Sequence, residues 1–200
     1  MWPELKYADW HDTLATLHMW TQVVGKIRLE RTPLVNHWWN VPLYVSARGL
    51  TTSAMPYDDR IFEIEFDFID HKLLIKCSDG STTALLLRSQ SVRDFYSEMM
   101  TALRRLGMEI KIWTMPVEVP NPIRFEDDTT HASYDPEYVG RFWRALVKMD
   151  DVFKENQVLS LDCYFGETGY HEAVKLEELV LMTAEGAVKM ADMPYEDRLL

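Results

Sequence analysis

The run RIFEIEFDFIDHKLLIKCSDGSTTALLLRS, residues 60–89, constrains the fold more than any other part of the chain. Ile61, Glu63, Glu65, Asp67 and Ile69 alternate with Phe62, Ile64, Phe66 and Phe68. A period of two places successive side chains on opposite faces of a strand, so one face is rich in phenyl rings and turned to a core. Asp70–His71 then reverses the chain. Leu73–Cys77 returns, Ser78–Asp79–Gly80 turns again, and Thr82–Leu87 follows as a third strand. Asp and Gly tolerate the left-handed backbone that tight hairpin turns require. The segment predicts an antiparallel meander.

Helical signals flank it. In residues 9–30, Leu14, Leu17, Val24 and Ile27 recur at near-helical spacing with Trp20 beside them, and Asp9 or Asp12 is placed to cap the start. Residues 91–106 put Phe95, Met99, Ala102, Leu103 and Leu106 on one face. Ser91 and Asp94 form a capping pair there, and Gly107 stops the helix. Residues 136–153 open on Pro136, a residue suited to the first helical turn. Residues 38–48 and Met108–Val119 read as strands, with Pro42 and Pro116 marking edges or bends. In the tail, residues 159–165 alternate, and residues 174–182 are expected to turn through Ala184–Glu185–Gly186 into a hairpin. The fold class is α+β: a mainly antiparallel sheet with helices packed on one face, plus a C-terminal β-hairpin segment. Residues 1–152 form the α+β domain. Residues 153–200 are a β segment, not a domain of their own.

Composition narrows the function. A net charge of −11 works against phosphate backbones and anionic membrane, so neither nucleic acid nor membrane is an expected partner. Cys77 and Cys163 lack metal-type spacing and suit a reducing compartment. The start, MWPELKYADWHDT, lacks a basic and apolar leader, so a soluble cytoplasmic protein is expected. Phosphate-binding glycine loops, nucleophile elbows and zinc-helix motifs are absent from the sequence.

The stretch NHWWNVPLYVSARGLTT, residues 36–52, admits two readings. If residues 38–45 form a strand, Trp38 and Trp39 face opposite ways, one into the core and one outward. That is ordinary packing of large aromatic residues. Alternatively Trp39 floors a ligand cleft, with His37 beside it and Arg48 contacting an anion through its planar guanidinium. Glu118, His131 and Tyr134 join such a cleft if the polar loop over residues 120–136 folds across the sheet. His11 and His18 lie two helical turns apart, about 10 Å, too far to share one metal ion. His71, beside Asp70, is expected to be solvated or to bond within its turn.

Two resemblances overlay these readings. WPELKYADWHDTLATLHMWTQVVGKIRL, NHWWNVPLYVSARGLTT, FEIEFDFIDHKLLI, IWTMPVEVPNPIRF and THASYDPEYVGRFWRAL resemble a bacterial family of unknown function over residues 2 to about 150. FKENQVLSLDCYFGETGYHEAVKLEELVLMTAEGAVKMADMP is similar to the C-terminal end of the pita-bread metallopeptidases, the creatinase and Xaa-Pro dipeptidase family. That resemblance puts Asp162 and Glu177 at two metal-ligand positions. The family's upstream aspartates and histidine have no counterpart in residues 1–150, so the pair is an incomplete set. No cofactor is expected, except a divalent metal if this resemblance is functional.

Three functions follow as expectations. The first is binding of a small polar or anionic ligand in an aromatic cleft. The second is an incomplete or remnant metal-dependent hydrolase. The third is a protein-interaction module that uses exposed tryptophan and the edge of the tail sheet. Whether the chain is an enzyme stays open.

Overall fold

The computed structural model describes residues 2–35, 38–152, 158–166, 173–183 and 186–189. The chain divides into two compact units, Met1–Val147 and Lys148–Leu200. The first is an α+β fold. Its elements in order are α1 (Tyr7–Arg31), β1 (Tyr44–Val45), β2 (Gly49–Thr51), β3 (Met55–Tyr57), β4 (Arg60–Asp67), β5 (Lys72–Cys77), β6 (Thr82–Leu86), α2 (Val92–Arg105) and, up to Val147, α3 (Pro136–Val152).

The six strands form one antiparallel sheet, in the order β1-β2-β4-β5-β6 with β3 also on β4. The period-two run sets its register. Phe62 pairs with Cys77, Ile64 with Ile75 and Phe66 with Leu73, and these residues are buried on the core face. On the other face Glu63 stands opposite Lys76 and Asp67 opposite Lys72. Lys76 bonds Glu65 at 2.6 Å, and Glu65 also accepts from Ser46 at 2.9 Å. Cross-strand charge pairs of this kind offset the burial of carboxylates at an otherwise open sheet face.

The β4–β5 turn is built by Asp67. Its Oδ1 accepts the backbone N–H groups of Ile69 and Asp70, and His71 closes the turn at φ 51°. Gly80, at φ 87°, does the same for the β5–β6 turn, where Asp79 accepts from Ser81 and Arg60. These bonds hold the Asp79 carboxyl down to about 2, with the Ser81 bonds foremost. α2 starts where its cap predicts, with Ser91 accepting the Asp94 N–H at 3.1 Å.

The core lies between the phenyl face and the helices. Trp20 of α1 stacks on Phe95 of α2 at 4.7 Å, and Phe95 stacks on Phe66 of β4 at 6.4 Å. Phe142, Trp143 and Leu146 of α3 pack against the same cluster.

Three expectations are corrected. Lys6, not Asp9 or Asp12, precedes α1, and it makes no side-chain cap. Residues 38–41 turn instead of extending: Trp38 sits at φ 60° and its carbonyl accepts the Val41 N–H at 2.9 Å. Trp38 and Trp39 are consequently both exposed, at 60% and 63%, and neither enters the core. Residues 108–119 carry the alternation of a strand, with Met108 and Ile110 buried and Glu109 and Lys111 exposed, but they pair with no strand. Their backbone groups bond elsewhere: Met108 N–H to the Leu103 carbonyl, Glu109 N–H to the Tyr57 hydroxyl. The period of two there records an extended chain lying on the core, not a sheet ladder.

The second unit contains a three-stranded antiparallel sheet, β7 (Val158–Gly166), β8 (Ala173–Thr183) and β9 (Gly186–Lys189), in that order. Residues 184–185, which carry the expected hairpin turn, lie outside the described residues. Among the described residues, no helix is long and apolar enough to cross a membrane.

Gly49 gives a direct test of the sheet register. A Cβ there would stand 1.9 Å from the Phe66 carbonyl oxygen, so β2 and β4 would have to separate. Gly49→Ala is expected to cost about 1–3 kcal/mol, as overpacking does. Urea unfolding checks this: the midpoint should fall at unchanged slope, and an unmoved midpoint would contradict the register.

Candidate functional site

α1 works on two sides. Trp10, Leu17, Trp20, Val24 and Ile27 are buried in the core. His11, Leu14, His18, Gln22, Lys26 and Leu29, three to four residues apart, line cavities on another side. Residues three and four apart on a helix share a face.

Two polar clamps shape the larger cavity. Gln22 donates to the Val117 carbonyl at 2.9 Å and accepts the Val117 N–H at 2.9 Å, tying residues 113–119 to α1. Arg28 donates to the Pro42 carbonyl and, at 3.2 Å, to the Tyr44 hydroxyl, and its guanidinium lies 4.6 Å from the Tyr44 ring. Val41 passes close over Gly25, 3.6 Å from where a Cβ would stand. Between these two walls α1 floors a cavity of about 850 Å³ that Leu50, Phe142 and Leu146 also line.

The cavity is largely apolar, with Lys26 as its one basic side chain besides His18. Lys26 is only 9% exposed, and its Nζ stands 4.5 Å from the centroid of the Trp113 ring. Among the described residues its ammonium has no hydrogen-bond or ion-pair partner. Burial lowers its pKa from the ordinary lysine value. Trp113 and Trp38, 62% and 60% exposed, stand at the lining with Glu118.

A second cavity of about 480 Å³ adjoins it, Leu14 and His18 lining both. His11 and His131 also line it. His131 Nδ1 lies 2.7 Å from buried Asp128, whose other oxygen accepts the N–H groups of Thr130 and His131. His11 Nε2 is 3.0 Å from Asp12, and His18 Nε2 is 3.3 Å from the Gln22 amide. Among the described residues no three His, Cys, Asp or Glu side chains are grouped to hold a metal ion.

The residues singled out in the sequence do not meet in one concavity. Glu118 lines the larger cavity and His131 the smaller. Trp39 is exposed and lines neither. His37 lies outside the described residues. Arg48 is occupied: its Nε donates to Asp67 at 2.7 Å and its Nη2 pairs with Asp70 at 3.0 Å. Tyr134 is buried against Trp20 at 5.5 Å, and its hydroxyl is 2.9 Å from His71 Nδ1. His71 thus bonds across 63 residues, not within its own turn. Burial, and then the charge of Asp67, push the Tyr134 phenol above its ordinary value. In the second unit the register places Asp162 opposite Glu177.

Lys26, Trp113 and Gln22 are the cavity residues that sequence reasoning passed over. VVGKIRL, residues 23–29, holds the available signal: a lone lysine inside an apolar helical run. A long side chain usually snorkels from such a position, so the pattern alone does not mark a site.

The Arg48–Asp67 pair makes a testable claim about acid stability. Burial alone would raise the Asp67 carboxyl; the Arg48 hydrogen bond, the N–H groups of Asp70 and Ile69 and the charge of Arg48 outweigh it and hold the carboxyl below the usual range. A depressed folded-state pKa contributes stability above the unfolded value, about 3.9 for aspartate, and loses it as pH falls through the folded value. Asp67→Asn is expected to cost roughly 1–3 kcal/mol at neutral pH, Arg48 being half open to water. The gap to wild type should close toward pH 2. Denaturation across pH measures it, and a gap constant with pH would refute the pairing.

The chain was compared with known proteins. No curated protein and no solved structure matches it. A family model does, over residues 2–159, and this span includes α1 through α3 and the whole of both cavities. The chain belongs to DUF5996, a family of unknown function.

Proposed function

We propose that the first unit binds a small ligand with an apolar body and one anionic group in the cavity between α1, residues 38–43 and residues 113–118. The single observation that carries this reading is Lys26. Its side chain is only 9% exposed within a largely apolar lining, and its ammonium has no hydrogen-bond or ion-pair partner among the described residues. Removing a cation from water is costly unless an anion or other polar groups replace the hydration. The Trp113 ring supplies part of that replacement. A ligand carboxylate supplies the rest.

The remaining wall agrees with such a ligand. Leu14, Leu17, Leu29, Val41 and Leu50 offer apolar contact, worth about 25 cal/mol per Å² removed from water. A volume of 850 Å³ falls in the usual range for small-molecule sites. The net charge of −11 does not oppose it at contact, because charges beyond about 8 Å are screened at physiological ionic strength. The anion contact first assigned to Arg48 passes to Lys26, since Arg48 is already neutralised by two aspartates.

Aromatic and medium-chain monocarboxylates, each against its neutral amide, test the proposal through tryptophan fluorescence and calorimetry. Trp38 and Trp113 are the expected reporters. Carboxylates should bind, amides should bind more weakly, and Lys26→Met should weaken carboxylate binding by roughly 10- to 100-fold, the loss of one charged contact. Equal binding of acid and amide, or an unchanged Lys26→Met, would sink it.

A further inference from the structure

Lys26 is placed for chemistry as well as for attraction. Its side chain lines a largely apolar cavity, with the amine 4.5 Å from the centre of an indole ring and, among the described residues, in no ion pair with a carboxylate. An exposed lysine is a weak nucleophile at neutral pH because its nitrogen lone pair carries a proton. Enclosure in apolar surroundings reverses that preference, and lysines that form imines with carbonyl compounds are activated in this way. Burial moves Lys26 in that direction.

We propose that Lys26 captures the carbonyl of a 2-oxo acid with an apolar body as an imine. The assignment rests on the ligand reading above and names the class of ligand within it. The carboxylate of such a compound gives Lys26 an anionic partner, and it sets the neighbouring carbonyl against Nζ. In the step itself the nitrogen lone pair attacks the carbonyl carbon, a C–N bond forms, and the oxygen takes a proton. The carbinolamine then loses its hydroxyl as water after a second protonation, leaving a C=N bond. Ammonium and oxo acid go to protonated imine and water with charge conserved. The cation therefore stays beside the ligand carboxylate and the Trp113 ring. Protons must come and go. Besides Lys26, the titratable groups on the cavity wall are His18 of α1 and Glu118 of the 113–118 segment. Both supply that role from the same lining as the amine.

The test uses the whole 200-residue chain with phenylglyoxylate as the 2-oxo acid and sodium cyanoborohydride to fix any imine as a secondary amine. Benzoate, which has ring and carboxylate but no ketone, reports binding alone. Peptide mapping by mass spectrometry then compares Lys26 with exposed Lys6 and Lys111 in the same sample. Labelling of Lys26 severalfold above both, reaching half its plateau at lower pH than they do and suppressed by excess benzoate, is the expected result. Labelling of Lys26 no greater than that of Lys6 and Lys111 overturns the assignment. If benzoate still binds in that case, imine capture fails and the carboxylate site stands; if benzoate does not bind, both fail. The internal lysines keep the comparison valid even if Lys26→Met, the site-deleted control, does not fold.

Discussion

The stacking of Trp20 between Phe95 and Tyr134 is the contact on which the first unit depends. One indole touches a ring from α2 and a ring from the loop before α3, and Phe95 extends the stack to Phe66 on the central strand. Aromatic pairs in such offset arrangements add roughly 0.5–1.5 kcal/mol each beyond the area they bury. The buried residues of α1 run from Trp10 to Arg28, about 27 Å of the helix, with this stack near their middle. A helix held so firmly by one side can present another side as a rigid floor. The cavity over Leu14, His18, Gln22 and Lys26 lies on the side of α1 that Trp10, Trp20, Val24 and Ile27 leave free by packing inward.

What the sequence makes legible follows from which interactions are local. The β4–β5–β6 meander, the Ser91 cap and the Pro136 start depend on neighbours within a few residues, so pattern and turn chemistry reveal them. Residues 38–41 and 108–119 are decided by tertiary context. Trp38 adopts a positive φ that its own type does not favour, and the chain there is pinned by Arg28 and Asn40 contacts to α1 and its end. Residues 108–113 alternate and still join no strand; β3 holds the Arg60–Phe62 end of β4. Periodicity reports how a chain lies on a core. It does not report whether another strand is within reach.

The same limit separates Arg48 from Lys26. Both are single cations in apolar or aromatic surroundings, and Arg48 is the more inviting by type, a planar fork beside small hydroxyl residues. Its fork is already filled by Asp67 and Asp70, which reach it only when β2 pairs with β4. Lys26 looks like one more lysine on an amphipathic helix. Its isolation arises from Gln22 pulling Val117 down on one side and Arg28 holding Pro42 on the other. A sequence can show that a charge is present; whether that charge is satisfied is a property of the folded neighbourhood.

That distinction also orders the three concavity-lining histidines. His131 is held by Asp128 and His11 by Asp12, so each ring already has a partner. His18 shares its ring nitrogen with Gln22, the residue that shapes the neighbouring cavity. Lys26 is the buried cation of that lining, and among the described residues its charge has no partner; a site is best sought where the fold leaves a charge that a visitor can balance. His18 and Leu14, common to both cavities, make the smaller one an annex of the larger. A longer ligand anchored at Lys26 would extend along α1 toward His18 and from there toward His11, over a floor already set by the core behind it.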